Sequence, residues 1–371
     1  MVLHHSNSQN RRVSQAENAP PTRLGVVSTI KNHASRQRAM RRANNAPPQP
    51  AVAARRLRSR PRTSVQFEFP LPIHLVPPPV ASSIDVEMAP PVPGPTKTLV
   101  KLPRYLYHPE RKEPRPEVVE ASVPDLEGVP LQYARDKLPL LSGDMFKVLT
   151  GAKIAPPMGA LPKEIEVSIN DVTSDMPTHV LALYCPLIRP DPNAAVAPKR
   201  RITLYPIHST VFAVHCASLP PLPPSHPEPV PIGGTITVPV LPIGLPSPSA
   251  FPFLSHYLYH RRPDKLIASL IPCPPPVAIP IADDASVEEK RNAEKEIIKA
   301  YAMKCAAMLT PHALLDRTLL VNGLWRDAYV LGVFDEGLWG SLDLAWEILV
   351  NAMAISSGDP DSVQVCLPEW A

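Results

Sequence analysis

The chain has 371 residues and a net charge of +4, with 52 prolines against 14 glycines and only 5% aromatic residues. Proline removes a hydrogen bond from a helix interior or a central strand, so its positions limit where regular structure can form. Only Pro311 interrupts residues 281–359, which leaves that segment free to be helical. No uninterrupted apolar stretch reaches the roughly 20 residues of a membrane span, and no secretory signal is evident at the N-terminus. We therefore expect a soluble intracellular protein.

The positive charge is concentrated at the start of the chain. Residues 1–63 carry 13 Lys and Arg against a single acidic residue, Glu17, whereas the remainder has a net charge of −8. Because this segment is poor in apolar residues, we predict a disordered basic tail. Nine arginines form two clusters with a spacing that suits a nuclear import signal: Arg36, Arg38, Arg41, Arg42, Arg55, Arg56, Arg58, Arg60 and Arg62. Two other interpretations of the tail stay open: it has no specific binding partner, or it contacts nucleic acid. No recognition-helix scaffold surrounds the arginines, so we do not expect sequence-specific DNA binding.

The cysteines indicate a reducing compartment. Cys185, Cys216, Cys273, Cys305 and Cys366 are far apart, and no CxxC or Cys/His cluster is present. An odd number of widely spaced cysteines suits free thiols in the nucleus or cytosol and makes a zinc module improbable.

Residues 64–160 alternate short apolar segments with prolines. The segment VQFEFP places Val65, Phe67 and Phe69 on one side of a predicted strand. Residues 131–149 predict a helix that is broken near Pro139, with Ser142 as the N-cap of its second half. We predict that the region is mostly disordered. Its apolar segments either bind partner proteins or fold back onto the chain's own domain.

An α+β domain is predicted from residue 161. Strands are expected at 164–169, 179–184, 201–205 and 236–241, and the second and third form a hairpin around a surface loop at 186–199. Helical spacing occurs at 208–219 and from residue 251, and three further helices follow, beginning near Ser286, Thr310 and Asp335. The predicted core comprises Ile202, Leu204, Val211, Phe212, Phe251, Leu254, Tyr257, Leu258, Trp325, Trp339 and Trp346.

Few residues suggest chemistry. His208, His215, Cys216 and Ser218 could be imagined as a nucleophile pair with its neighbours, but helix packing explains them better. His256 and His260 have the i, i+4 spacing of metal ligands, yet no further ligand motif accompanies them. Phosphate-loop and nucleophile-elbow motifs are absent. We therefore predict no catalytic, cofactor-binding or metal-binding residues, and a protein that is not an enzyme.

Several long motifs resemble the clampless family of basidiomycete fungi. They include SVQFEFPLP (64–72), VKLPRYLYHPERK (100–112), LPKEIEVSINDVTSDMPTH (161–179), FLSHYLYHRRPDKLIASLIP (253–272) and VNGLWRDAYVLGVFDEGLW (321–339). The resemblance implies a regulator of sexual development, required for clamp formation and acting downstream of the homeodomain mating-type proteins. It also implies a nuclear protein, found in the nucleus or in both nucleus and cytoplasm, whose partners are transcription factors, homeodomain mating-type proteins among them. It supplies no cofactor and no catalytic residues.

A second resemblance, over residues 165–350, is to BTB/POZ domains. It is carried by IHSTVFAVHCASL (207–219) and by the strand and helix of residues 236–262, but an extra proline-rich insertion at 220–234 departs from that pattern. The predicted fold class is thus α+β: a basic tail at 1–63, a mostly disordered region at 64–160, a degenerate BTB-like domain with C-terminal helices at 161–357, and a tail at 358–371. The BTB resemblance implies a further alternative, a substrate adaptor of a ubiquitin ligase, and homodimerisation stays open.

Overall fold

A computed structural model describes residues 64–70, 97–108, 110, 112–186, 201–276 and 286–358. This part of the chain contains two sheets and eight α-helices. The strands of this part are β1 (Ser64–Pro70), β2 (Lys97–Pro103), β3 (Lys153–Ile154), β4 (Glu164–Ser168), β5 (His179–Tyr184), β6 (Ile202–Ile207) and β7 (Thr235–Gly244). Its helices are α1 (Pro116–Ser122), α2 (Leu131–Gly151), α3 (Ser209–His215), α4 (Phe251–His260), α5 (Pro263–Leu270), α6 (Val287–Met308), α7 (Pro311–Leu331) and α8 (Glu336–Ser356). The α+β prediction with a helical C-terminus is confirmed. The basic tail and all nine of its arginines lie outside the described residues, as does the loop at 187–200.

The larger sheet has the strand order β3-β4-β7-β5-β6. β5 and β6 form the predicted antiparallel hairpin, while β5 and β7 are parallel, so helix α3 lies in the crossover between β6 and β7. β4 pairs with β7 in the antiparallel direction. The smaller sheet is the antiparallel pair β1-β2.

The β7 strand contains two prolines because its two halves have different neighbours. Its first half, through Pro239, pairs with β4, and its second half, from Val240, pairs with β5. Each proline therefore lies where β7 lacks a strand on one side, and no ladder bond is lost. The prediction ended this strand near residue 241; the structure extends it to Gly244.

Two apolar clusters cover the faces of the larger sheet. The main cluster joins Leu181, Leu183 and Ile207 to helices α3 to α8. The second cluster lies against the opposite face, where Val180, Ala182 and their neighbours meet Val148 of α2.

The described residues between 64 and 160 belong to this fold, which corrects the predicted boundary at 161. Phe67 of β1, Leu102 of β2 and Met145 of α2 are all buried in the main cluster. The apolar segments therefore fold back onto the chain's own domain, as the second of the two interpretations held.

The predicted break in α2 is wrong for a physical reason. Pro139 lacks the amide that would bond to the carbonyl of Arg135, one turn earlier. Arg261 donates to that carbonyl instead, with an Nη1–O distance of 3.1 Å, so the helix continues from Leu131 to Gly151. Ser142 is accordingly inside the helix, where it donates to the carbonyl of Tyr259 and caps nothing.

Helix α3 is shorter than predicted. It ends at His215 because the chain then pairs with the end of α7: Cys216 forms a β-bridge with Val333, and the Ala217 amide donates to the Gly332 carbonyl at 3.0 Å. Backbone pairing with a distant segment overrides the helical spacing of residues 216–219.

The C-terminal helices begin where they were predicted. Ser286 and Glu289 form a capping box, Thr310 caps α7, and Asp335 accepts from the Leu338 amide at 2.9 Å. Within the described part of the chain, α8 alone has the length and composition of a membrane span, but 78% of that window is buried inside the protein. A helix packed in this way is the core helix of a folded unit.

Most of the predicted core is confirmed by burial. The fully confirmed residues are Val211, Phe212, Phe251, Leu254, Tyr257, Leu258, Trp339 and Trp346. Leu204 and Trp325 are only half-buried at the margins of the clusters. Ile202 was wrongly placed in the core, since 45% of its surface is exposed on β6. Its position at the outer strand of the sheet explains the difference.

Candidate functional site

The histidines and cysteine of the α3 region are structural. His208, just before α3, is buried and held by two contacts: its Nε2 lies 2.9 Å from the Asp175 carbonyl and its Nδ1 2.9 Å from the Tyr259 hydroxyl. Burial lowers the pKa of His208 to about 4, so the ring is neutral at physiological pH. A buried neutral imidazole with both nitrogens occupied is a poor general base.

His215 and Cys216 do not form a reactive pair. The His215 Nδ1 lies 2.8 Å from the Val211 carbonyl, and burial lowers the pKa of this histidine to about 4. Burial also raises the pKa of the Cys216 thiol to about 12. The thiolate that nucleophilic chemistry requires is therefore strongly disfavoured. Ser218 contributes its amide to a bond with the Leu331 carbonyl at 3.0 Å.

A polar network centred on Asp335 fixes the helices around α3. Tyr257 donates to Asp335 Oδ1 at 2.6 Å, and the Arg261 guanidinium contacts Oδ2 at 2.9–3.0 Å. Arg135 is buried with its Nε donating to the Val214 carbonyl at 2.8 Å. Each of these groups bonds another part of the protein, so the network holds α2, α3, α4 and α8 together.

His256 and His260 lie side by side on α4, as their spacing predicted. Their ring centroids are 4.4 Å apart, and burial, assisted by the charge of Lys265, lowers the pKa of both. The edge of Phe146 packs against each ring. Within the described ranges no group of three or more His, Cys, Asp or Glu side chains could hold a metal ion. The pair packs against an aromatic ring, and nothing beyond its spacing suggests a metal site.

Two surface cavities are large enough to take part of a partner molecule. The first, of about 660 Å³, has a mixed polar and apolar lining and is bordered by Asp125, Asp175, His208 and His226. The second, of about 580 Å³, is a groove between β6 and the segment that follows α2. The sequence interpretation missed the groove because it treated Ile202 and Leu204 as core residues. The available signal was Pro206, since a proline within a strand pattern indicates an edge strand.

Two domain models of one family match most of the described residues. The model described as the Clampless protein 1 N-terminal domain matches residues 109–246, and the Clampless protein 1 C-terminal domain matches residues 264–367. Two relatives, both named Clampless protein 1 and from two strains of Cryptococcus neoformans var. neoformans serotype D, are 24% identical over 121 residues. The aligned stretch covers 33% of this chain and only 21% of each relative. No solved structure matches. The two domain matches join in one conclusion: the chain belongs to the clampless protein 1 family.

Proposed function

We propose that the chain is a non-enzymatic regulatory adaptor of fungal sexual development, which supports clamp cell formation and growth of the dikaryon. The observation that carries the proposal is membership of the clampless family across two successive domains. The neutral, buried state of His208, His215 and Cys216 also supports it, because these were the strongest catalytic candidates in the sequence.

The adaptor acts through protein contacts in the nucleus, and its partners are transcription factors, homeodomain mating-type proteins among them. Support for the nuclear location comes from the arginine clusters at 36–42 and 55–62. Support for protein partners comes from the groove beside β6, which combines apolar side chains such as Ile202 and Leu204 with the charged side chain of Arg201.

The proposal is tested in compatible basidiomycete strains. We expect that hyphae lacking the gene fail to form clamps after mating, and that the tagged chain purified from nuclei retains transcription factors. A chain with alanine at the five arginines of 55–62 separates location from folding. It should lose nuclear accumulation but keep its fold. Normal clamps in the deletion strain, or a nuclear chain that retains no transcription factor, would contradict the adaptor function.

The charge of the N-terminal segment favours a second candidate, in which residues 1–63 contact DNA directly. A segment with 13 Lys and Arg and one acidic residue can neutralise several phosphates. Binding through phosphates releases counterions, so affinity for a random duplex should fall steeply as salt rises. A gel-shift titration at two salt concentrations distinguishes the candidates, because the adaptor function requires no salt-sensitive DNA affinity.

A further inference from the structure

The β6 strand forms one edge of the larger sheet. Among the described residues it pairs only with β5. Pro206 has no amide hydrogen, and proline fits a strand where its nitrogen faces away from the neighbouring strand. The next carbonyl, that of Ile207, points toward the β5 side and accepts from the Thr178 amide at 2.9 Å. Because orientation alternates along a strand, the amides of Ile202 and Leu204 point outward.

No strand among the described residues pairs with the outward side of β6. Neither the Ile202 amide nor the Leu204 amide has a hydrogen-bond partner in the part of the chain that the structure describes. Arg201, immediately before the strand, also has no ion-pair partner there, and its side chain lies at the surface. An open edge of this kind is a template for strand addition.

A groove lies beside this edge on one face of the sheet. The register places Ile202, Leu204 and Pro206 on that face, opposite Tyr184, Ala182 and Val180 of β5. The far wall is formed by Ala152, Ile154, Pro156, Pro157, Gly159 and Leu161. With a volume of about 580 Å³, the groove can receive several side chains.

We propose that an extended segment of a partner protein adds to β6 as a strand and places alternate apolar side chains in this groove. Main-chain bonds to Ile202 and Leu204 supply the alignment, and the groove supplies selectivity for aliphatic residues or proline. Arg201 is the one charged residue in the lining, so the segment carries an Asp or Glu near that end. This inference rests on the proposed function, since it names the surface by which the adaptor holds a partner.

The open amides and the charge define the variants that test the proposal. Ile202→Pro removes one outward amide, and Ile202 is the first residue of the strand, where proline is tolerated. Ile202→Val keeps the amide and is the matched control. Arg201→Glu reverses the charge at the end of the groove. Leu319→Lys changes a similarly exposed apolar residue, 49% exposed, on α7.

The probe is a phage-displayed library of random 12-residue peptides, selected on the immobilised full-length chain. We expect selected peptides with apolar residues at alternate positions and a carboxylate near one end. They should slow hydrogen exchange at the Ile202 and Leu204 amides. Loss of one main-chain bond should weaken binding of a selected peptide at least about tenfold in Ile202→Pro. Binding should change less than about twofold in Ile202→Val and Leu319→Lys, and Arg201→Glu should remove the preference for carboxylates.

Several results would overturn the proposal. They are failure to select any peptide, equal binding by the wild-type chain and Ile202→Pro, and unchanged exchange at the two amides. If Ile202→Pro does not fold, two results still test the proposal: hydrogen exchange at the Ile202 and Leu204 amides of the wild-type chain, and the carboxylate preference of peptides that bind Arg201→Glu. A dimer in sedimentation that Ile202→Pro dissociates would assign the edge to a second copy of this chain instead. Peptide binding at β6 without any retained transcription factor would leave this inference standing and contradict the proposed function.

Discussion

A buried carboxyl group on α7 links the stability of the fold to pH. Asp327 is inaccessible to solvent, and its Oδ1 accepts from the Ser247 amide at 2.8 Å. Its Oδ2 has no hydrogen-bond partner among the described residues. Burial is the main influence and raises the pKa of Asp327 to about 7. The folded state therefore keeps a proton that the unfolded chain, with a carboxyl pKa near 4, releases.

We expect the free energy of unfolding to fall as pH rises from about 4 to about 7, through the window between the two pKa values. A difference of about three pKa units corresponds to roughly 4 kcal/mol. Asp327→Asn keeps the acceptor for the Ser247 amide and cannot ionise. The change that it makes in the free energy of unfolding should therefore be more favourable at pH 8 than at pH 5. Urea unfolding at the two pH values measures this. Asp316→Asn, an exposed change on the same helix, is the control, and equal effects of Asp327→Asn at pH 5 and pH 8 would contradict the prediction.

At the scale of single residues, the sequence distinguishes apolar core positions better than buried polar ones. Helical spacing found Phe212, Leu254 and Trp346 because apolar side chains repeat on one face. No pattern marks Arg135, whose burial depends on the Val214 carbonyl and on Glu113, residues far away in the chain. Side chains whose partners come from other elements can be recognised only once the elements are placed.

At the scale of elements, helix starts were predictable and several ends were not. Ser286, Thr310 and Asp335 act on amides within three residues, so the capping signal is local. The continuity of α2 through Pro139 depends on Arg261, and the early end of α3 depends on the Leu331–Val333 segment. The groove at β6 is similarly non-local, because its far wall is formed by residues 152–161. Long-range partners overrode local propensity in each case.

The segment after β2 is anchored to α8 by a buried ion pair. The two terminal guanidinium nitrogens of Arg104 donate to the Glu347 carboxylate, at 2.7 and 2.8 Å, and both side chains are more than nine-tenths buried. Asn351 donates to the same carboxylate at 3.0 Å, and the Trp346 indole donates to the Arg104 carbonyl at 3.3 Å. These contacts tie residues that precede the predicted domain to its last helix.

Arg104→Met should destabilise the fold by about 3 kcal/mol, because Glu347 then loses two charge-assisted hydrogen bonds in a buried site. The double variant Arg104→Met with Glu347→Met should lose less than this, since neither charge remains to be solvated. Arg262→Met is the control: it breaks an exposed pair with Asp264, and its effect should be much smaller. Urea unfolding of the four proteins tests the prediction, which fails if the double variant is less stable than Arg104→Met.

At the scale of the whole molecule, composition misled the prediction of the boundary. Prolines are frequent in residues 64–160, and their number suggested that this region could not pack. The structure instead buries there the side chains of Phe67, Leu102, Leu106, Val119, Val123, Leu131, Ala134, Leu138, Met145, Val148 and Leu149. A few prolines in connections are compatible with a packed core, because the helices α1 and α2 begin at or directly after a proline.

A chain that begins at residue 161 should therefore fail to fold, while one that begins at residue 64 should fold. Burial of each large apolar side chain contributes about 1.5–3 kcal/mol, so losing ten of them exceeds the 5–15 kcal/mol by which a domain is stable. We expect cooperative thermal unfolding by circular dichroism for residues 64–371 and for the full chain, and none for residues 161–371. In the full chain, trypsin should also spare Arg135, which is buried within α2. A cooperative transition in the 161–371 fragment would contradict this prediction, because it would show that the domain folds without the residues before 161.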